Sequence, residues 1–371
     1  MTVQQQFVRF LVIIISGIII VSCGSFDSSK ETMFRSDLQN TGVIKNQSPI
    51  NKRPKLKWEF KTTDWIFASP VIANNKILVP VTNGQFFALD MNSEKLWEYR
   101  ANGTLYSTPA VVDNMVYIGT MEGRMICIDI ENGQEIWQTA TEGKDGVYAS
   151  PKVVDKTVYY ASSDGHYYAL NRESGEVFWR VDTGAKIFGT PAISGNNAFI
   201  TNEDGWLFCV DLQSGKEKWK KQFSGNILGS PALTDTLLVF GGMNGSIYCL
   251  SQNSGETVWQ FGTGHAVSTA PVISNGTVYI GSWDTHFYAL NLETGARKWQ
   301  FECDDQILGS AALVENVLYF GDKGGNVYAL DARNGLEYWR FKAEFSVSCT
   351  PLVHDGVIYF GSQDRKLYAL Q

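Results

Sequence analysis

The chain has little of what catalytic and nucleic-acid-binding proteins usually display. Only four histidines and six cysteines occur in 371 residues, and no two cysteines are adjacent. There is no Cys-x-x-Cys-His haem attachment, no Gly-x-Ser-x-Gly elbow, no phosphate-binding glycine loop and no His-Glu-x-x-His motif. Carboxylates are spread along the chain, and no pair is placed together by its spacing. No catalytic residue, metal ligand or cofactor is assigned. Lys and Arg number 31 against 38 Asp and Glu, a formal charge of −7, and no basic cluster interrupts that acidity. Phosphate recognition needs concentrated positive charge, so no nucleic-acid partner is expected.

Long apolar runs are also scarce. The one that stands out, Phe10–Val21, follows Arg9, the only charged side chain among the first 22 residues. About twelve residues are too few to cross a bilayer core, which takes about 20, but they suit the apolar region of a signal peptide. The run ends at Ile20-Val21-Ser22-Cys23-Gly24, which resembles the lipobox of bacterial lipoproteins. Residues 1–22 are therefore expected to be a lipoprotein signal peptide. Cys23 is the expected lipidation site, and the polar stretch 23–54 a lipid-anchored linker with some order around Met33–Gly42. Losing Arg9 takes the net charge from −7 to −8. The remaining cysteines, at 127, 209, 249, 303 and 349, are odd in number and cannot all pair in disulfides.

What is abundant is repetition. Tryptophans at 58, 97, 137, 179, 219, 259, 299 and 339 are 39 to 42 residues apart. About twelve residues after each comes a small residue and a proline, as in Ser69-Pro70, Thr108-Pro109 and Ser150-Pro151; Ser310-Ala311 alone departs. A strand ending like Ala88-Leu89-Asp90 closes each unit. Turn pairs such as Asn244-Gly245 and Ser174-Gly175 separate short apolar runs, so each unit reads as a four-stranded antiparallel meander. Meanders of about 40 residues are propeller blades.

The ends of the chain settle how many. Leu56–Lys61 is a tryptophan strand without a blade, and the eighth unit stops at Gln371 without its outer strand. Pairing Leu56–Lys61 with Leu367–Leu370 closes a ring and removes exposed sheet edges. The prediction over 55–371 is an all-β, eight-bladed β-propeller of four-stranded antiparallel blades, closed by its N-terminal strand. The repeated Trp is expected to clamp neighbouring blades. Cys127, Cys209 and Cys249 occupy the slot of Ala88, Ala169, Ala289 and Ala329, and read as small buried residues.

Ala-Leu-Asp, Thr/Ser-Gly, Trp and Ser-Pro in this order resemble the pyrroloquinoline-quinone-like (PQQ-like) propeller repeat, over roughly residues 31–371. Met33-Phe34-Arg35-Ser36-Asp37 and Thr41-Gly42 resemble the lead-in before the first blade of such proteins. WD40 repeats have similar spacing, but here Glu, Gln, Arg or Lys follows every repeat Trp. The resemblance implies one of two things. A bare propeller with a lipobox is similar to outer-membrane lipoprotein scaffolds, which would imply protein partners at the outer membrane such as the β-barrel assembly machinery. It would also imply a lipid-anchored monomer facing the periplasm or the cell surface. The alternative is a quinone- or metal-dependent oxidoreductase. The dehydrogenases of this family carry adjacent cysteines over the quinone and calcium-binding Asn and acidic ligands. A third reading, a glycan-binding propeller, rests on aromatic residues alone.

In such a ring the fourth-to-first loops and second-to-third turns share one face, which varies from blade to blade. The opposite face carries monotonous Asn, Asp, Ser and Gly turns. Variation on a uniform frame points to binding. The candidates are Trp65, Arg124, His166, Lys186, Trp206, His265, His286 and Lys366. His265 and His286 lie near Asp284, but without the tight spacing of a metal motif.

Overall fold

The computed structural model describes residues 31–143 and 145–371. Residues 1–30, with the leader and Cys23, lie outside the described residues. The rest is eight antiparallel sheets arranged as propeller blades. Blade 1 comprises Val71–Ala73, Lys76–Pro80, Gln85–Leu89 and Lys95–Arg100, from the channel outward, and blades 2 to 7 repeat the order. Blade 8 takes three strands from the C-terminus, Leu352–His354, Val357–Ser362 and Lys366–Leu370, and its outer strand from Leu56–Lys61. The closing register runs from Leu56 opposite Leu370 to Lys61 opposite Lys366, as the truncated ends of the repeat require.

Eight hydrophobic clusters form the core, one at each interface between neighbouring blades. The repeated Trp lies in these interfaces. The Trp97 indole N–H donates to the Ile130 carbonyl of the next blade at 2.8 Å, and Trp259 to Leu292 at 2.7 Å. A glycine must follow. Gly295 has φ +70°, and a Cβ there would stand 2.7 Å from the Trp259 ring; the Thr294-Gly295 turn is thus set by the preceding blade's indole. Opposite each Trp in the sheet sits a small residue: Ala88 faces Trp97, and Cys127, Cys209 and Cys249 face Trp137, Trp219 and Trp259. Burial pushes the Cys209 thiol up to about 11 and the Cys127 and Cys249 thiols to about 12, so they stay neutral packing groups.

The seventh clamp shows how the ends were accommodated. Blade 8 has no third-to-fourth turn to receive Trp339, whose indole donates instead to the Ile50 carbonyl at 2.8 Å. Ile50 belongs to a lead-in that is built into the ring. Glu31–Thr32 pairs with the inner strand Ala110–Val112, adding a fifth strand to blade 2. The chain then circles the inner strands. The carbonyls of Leu38, Gln39, Thr41 and Gly42 accept the N–H groups of Ile193, Leu233, Ile273 and Leu313, in blades 4 to 7.

Three buried polar side chains fasten this turn of chain. Arg35 donates to the carbonyls of Ala311, Pro271 (2.7 Å) and Asn40. Asn40 donates to Thr190 at 3.1 Å and Pro231 at 2.9 Å. The Lys152 ammonium donates to the carbonyls of Phe34 and Asp37. Desolvation lowers the Arg35 pKa to about 10 and that of Lys152 to about 7, with Asp37 opposing the shift in both. Sequence reading gave the lead-in motif no such role.

Candidate functional site

The two faces differ in what their turns are for. On the uniform face, a carboxylate or amide at the start of the third-to-fourth turn satisfies backbone donors, except in blade 5, where Ser251 stands there. Asn171 Oδ1 accepts from Glu173 N at 2.8 Å and Ser174 N at 3.2 Å, and Asn291 does the same at 2.9 Å and 2.9 Å. Several acids of the variable face are also engaged in structure. The tyrosine hydroxyls of 168, 288 and 368 donate to Asp164, Asp284 and Asp364 at 2.5, 2.7 and 2.7 Å. Those phenols are raised above their ordinary pKa, first by burial and then by the carboxylate.

The channel opens on the variable face as a funnel of about 200 Å³. Its wall begins with a hydroxyl belt built from the small residues that precede the prolines. Ser69 N–H donates to Thr108 Oγ1 at 3.2 Å, Thr108 to Ser150 at 3.0 Å, Ser150 to Thr190 at 2.9 Å and Thr190 to Ser230 at 2.8 Å. Thr350 donates to Ser69 at 2.9 Å, joining the last blade to the first. Proline next in the chain has no N–H to satisfy, so the Ser/Thr-Pro step links neighbouring blades while adding no orphan donor.

Above the belt, the residue two before each of these small residues points into the mouth. Blades 1 to 4 place aromatics there. Phe67, Tyr106, Tyr148 and Phe188 follow one another with ring centroids 5.1, 5.6 and 5.1 Å apart, in tilted and edge-on contacts favoured by the ring quadrupole. Trp65 extends the arc outward, 5.9 Å from Phe67. Blades 5 to 8 carry Leu228, Ser268, Leu308 and Ser348 at the same position. Phe34 of the lead-in also lines the funnel. Two large apolar side chains stand out in solvent on this face, Trp65 at 47% and Phe345 at 62% exposed, in the loops entering blades 1 and 8. These blades are neighbours: Trp65 joins the arc through Phe67, and Phe345 stands in the adjoining loop.

The eight sequence candidates all lie on this face, but they do not converge. Arg124, His166, Trp206, His286 and Lys366 each begin the third strand of a different blade. Arg124 donates to Gln138 at 2.7 Å, Lys366 pairs with Glu344 at 2.8 Å, and the Lys220 ammonium lies 5.6 Å over the Trp206 ring. Lys186 is exposed in the loop entering blade 4. His265 stacks on Trp283 at 5.9 Å, while His286 Nδ1 faces the Asp284 carbonyl at 2.9 Å. Asp284 Oδ2 is taken by Gly264 N–H and Tyr288. Among the described residues no group of three or more His, Cys, Asp or Glu side chains could hold a metal. The aromatic arc was missed. Reading Phe67, Tyr106, Tyr148 and Phe188 as one column of the aligned repeats would have found it.

The donor set of the funnel also bears on the quinone alternative. Its lining is aromatic and aliphatic carbon with Ser and Thr hydroxyls, and contains no carboxylate, Asn, His, Lys or Arg. Calcium takes carboxylate and carbonyl oxygens, and the single thiol here, Cys349, is buried and bonded to the backbone of Gly361. These residues do not fit a calcium-quinone pair.

In sequence, the family described as outer membrane protein assembly factor BamB matches over residues 46–260, 163–300, 203–335 and 305–371. No curated protein matches. Among solved structures, BamB from Moraxella catarrhalis is 18% identical with a TM-score of 0.74, over 86% of this chain and 100% of that one. The computationally designed Ika8 protein is 17% identical with a TM-score of 0.75, over 85% and 98%. Quinohemoprotein alcohol dehydrogenase from Comamonas testosteroni is 14% identical with a TM-score of 0.79, over 93% and 81%. At such identities these likenesses show the fold.

Proposed function

The chain belongs to the family of the outer membrane protein assembly factor BamB, and on that premise we propose that it is a non-catalytic scaffold binding protein partners through its variable face. It is a lipoprotein held at the outer membrane through Cys23, on the periplasmic side or the cell surface. Its partners belong to outer-membrane protein assembly, the β-barrel assembly machinery first among them. The observation that carries this reading is the exposed Trp65, joined to the aromatic arc through Phe67, with Phe345 exposed in the adjoining loop. Rigid aromatic side chains on a fixed frame are what anchors of protein interfaces are made of. No carboxylate lines the funnel, and Asp164, Asp284 and Asp364 on the same face are tied to tyrosines, which leaves the apolar surface to do the binding.

A photo-crosslinking amino acid at Phe345 or Trp65, used in living cells, tests this. Recovery of a component of outer-membrane β-barrel assembly from these positions, and not from Asn275 on the uniform face, is the expected outcome. Recovery from Asn275 alone, or of no protein at all, would count against it. The shape shared with quinohemoprotein dehydrogenases favours a redox reading as the second choice. A thermal shift on adding pyrroloquinoline quinone and calcium would revive it.

A further inference from the structure

The lead-in has a direction. Glu31 pairs with Val112, the last inner-strand residue before the first-to-second turn of blade 2, and Thr32 with Val111 behind it. The N-terminal end of this strand, at Glu31, is therefore directed to the uniform face, beside the channel. That end cannot slide. Arg35, Asn40 and Lys152 hold the following residues to the carbonyls of blades 4 to 7 and to the inner wall of blade 3.

We propose that this fastening fixes how the ring stands on the membrane, with the uniform side toward lipid and the variable face directed away, toward its partner. The inference rests on the reading of Cys23 as the lipid anchor. Glu31 lies eight positions beyond Cys23, a reach of at most ~29 Å fully extended. A membrane lying on the variable face would require a tether passing round the rim to cross four strand spacings outward, ~19 Å, and then climb the ~20 Å length of a six-residue outer strand. That is ~39 Å before the loops above the strand ends are added, and the reach falls short by this route. An assembly partner docking on the aromatic arc meets it on the open side, where no bilayer competes for the same apolar side chains.

Acylated full-length protein in vesicles of phosphatidylethanolamine and phosphatidylglycerol provides the test. The five described cysteines are buried, so a maleimide dye labels an introduced thiol selectively. Lys156→Cys reports from the uniform face and Lys186→Cys from the variable face. Energy transfer to a headgroup-labelled lipid should be at least twofold stronger from position 156. A thirty-residue Gly/Ser spacer inserted after Ser29 should abolish the difference. Equal or reversed transfer in protein that floats with the vesicles overturns the orientation alone, as does a difference that survives the spacer. Wild-type protein that does not float, behaving like Cys23→Ser, overturns the anchor and with it this inference.

Discussion

On the uniform face blades 2, 3, 4, 6 and 7 repeat one solution, an Asn or Asp side chain folded back onto its own turn and a glycine laid on the previous blade's indole. On the variable face the residues differ between most blades, although Asp164, His166 and Tyr168 of blade 3 recur as Asp284, His286 and Tyr288 of blade 6. The lead-in, whose three buried polar side chains join blades 3 to 7, is bonded at the starts of the inner strands and so braces the ring beneath the funnel. What separates the two faces is the use of their exposed side chains: bonding back onto the turn in one, and presenting Trp65 and Phe345 to solvent in the other. Stability and recognition are thereby placed at opposite ends of the same strands, and changing one should leave the other intact.

That separation can be attacked from its strongest point. Removing Leu56–Lys61 deletes the outer strand of blade 8 and reopens the ring; the expected result is the largest effect, a lower and broader thermal transition. A truncated protein that melts like the intact one would show that closure contributes nothing. Next in size, Trp97→Ala removes an indole that is 9% exposed and should cost about 3–5 kcal/mol, as other large-to-small core changes do. Trp206→Ala on the variable face should cost less than about 1 kcal/mol. Denaturant midpoints for the two variants decide whether the tryptophans divide in this way.

The lead-in gives a pH signature. The Lys152 pKa is lowered to about 7 from an ordinary 10.5 by burial, so between these values the unfolded chain binds more protons than the folded one. Stability must then rise with pH across that window, by about 2 kcal/mol from pH 7 to pH 9. Below pH 7 the cost of burying the charge is fully present. In Lys152→Met this rise should disappear; a variant with an unchanged pH profile would remove Lys152 from the account. Smallest in stability are Trp65→Ala and Phe345→Ser, each expected within about 0.5 kcal/mol of wild type. The same two changes should abolish the in vivo crosslinks to the partner. Loss of folding in either would mean that the variable face also holds the ring together.

The landmarks that sequence reading used were those whose spacing is the fold itself. Trp, glycine and Ser-Pro recur because each touches its counterpart one blade away, so a contact across an interface becomes a period of about 40 along the chain. The ring closure at Leu56–Lys61 was legible for the same reason, as a strand with no blade and a blade with no strand. The binding candidates fared differently. Arg124, His166 and Lys366 were singled out for varying, yet variation alone does not bring side chains together, and they stand in separate blades. The arc through Phe67, Tyr106, Tyr148 and Phe188 could be seen only as a column, because no two of its members are near in sequence.

The sequence by itself determined the number of blades, their order and the way they close, because those depend on contacts repeated eight times. Only the tertiary structure decided the path of the lead-in, which turns Arg35, Asn40 and Lys152 into buried fasteners, and the convergence of four aromatics at one mouth. The contacts of the lead-in are made once and leave no period to read, and the column of aromatics in the repeats shows which positions align but not that their rings meet at the axis.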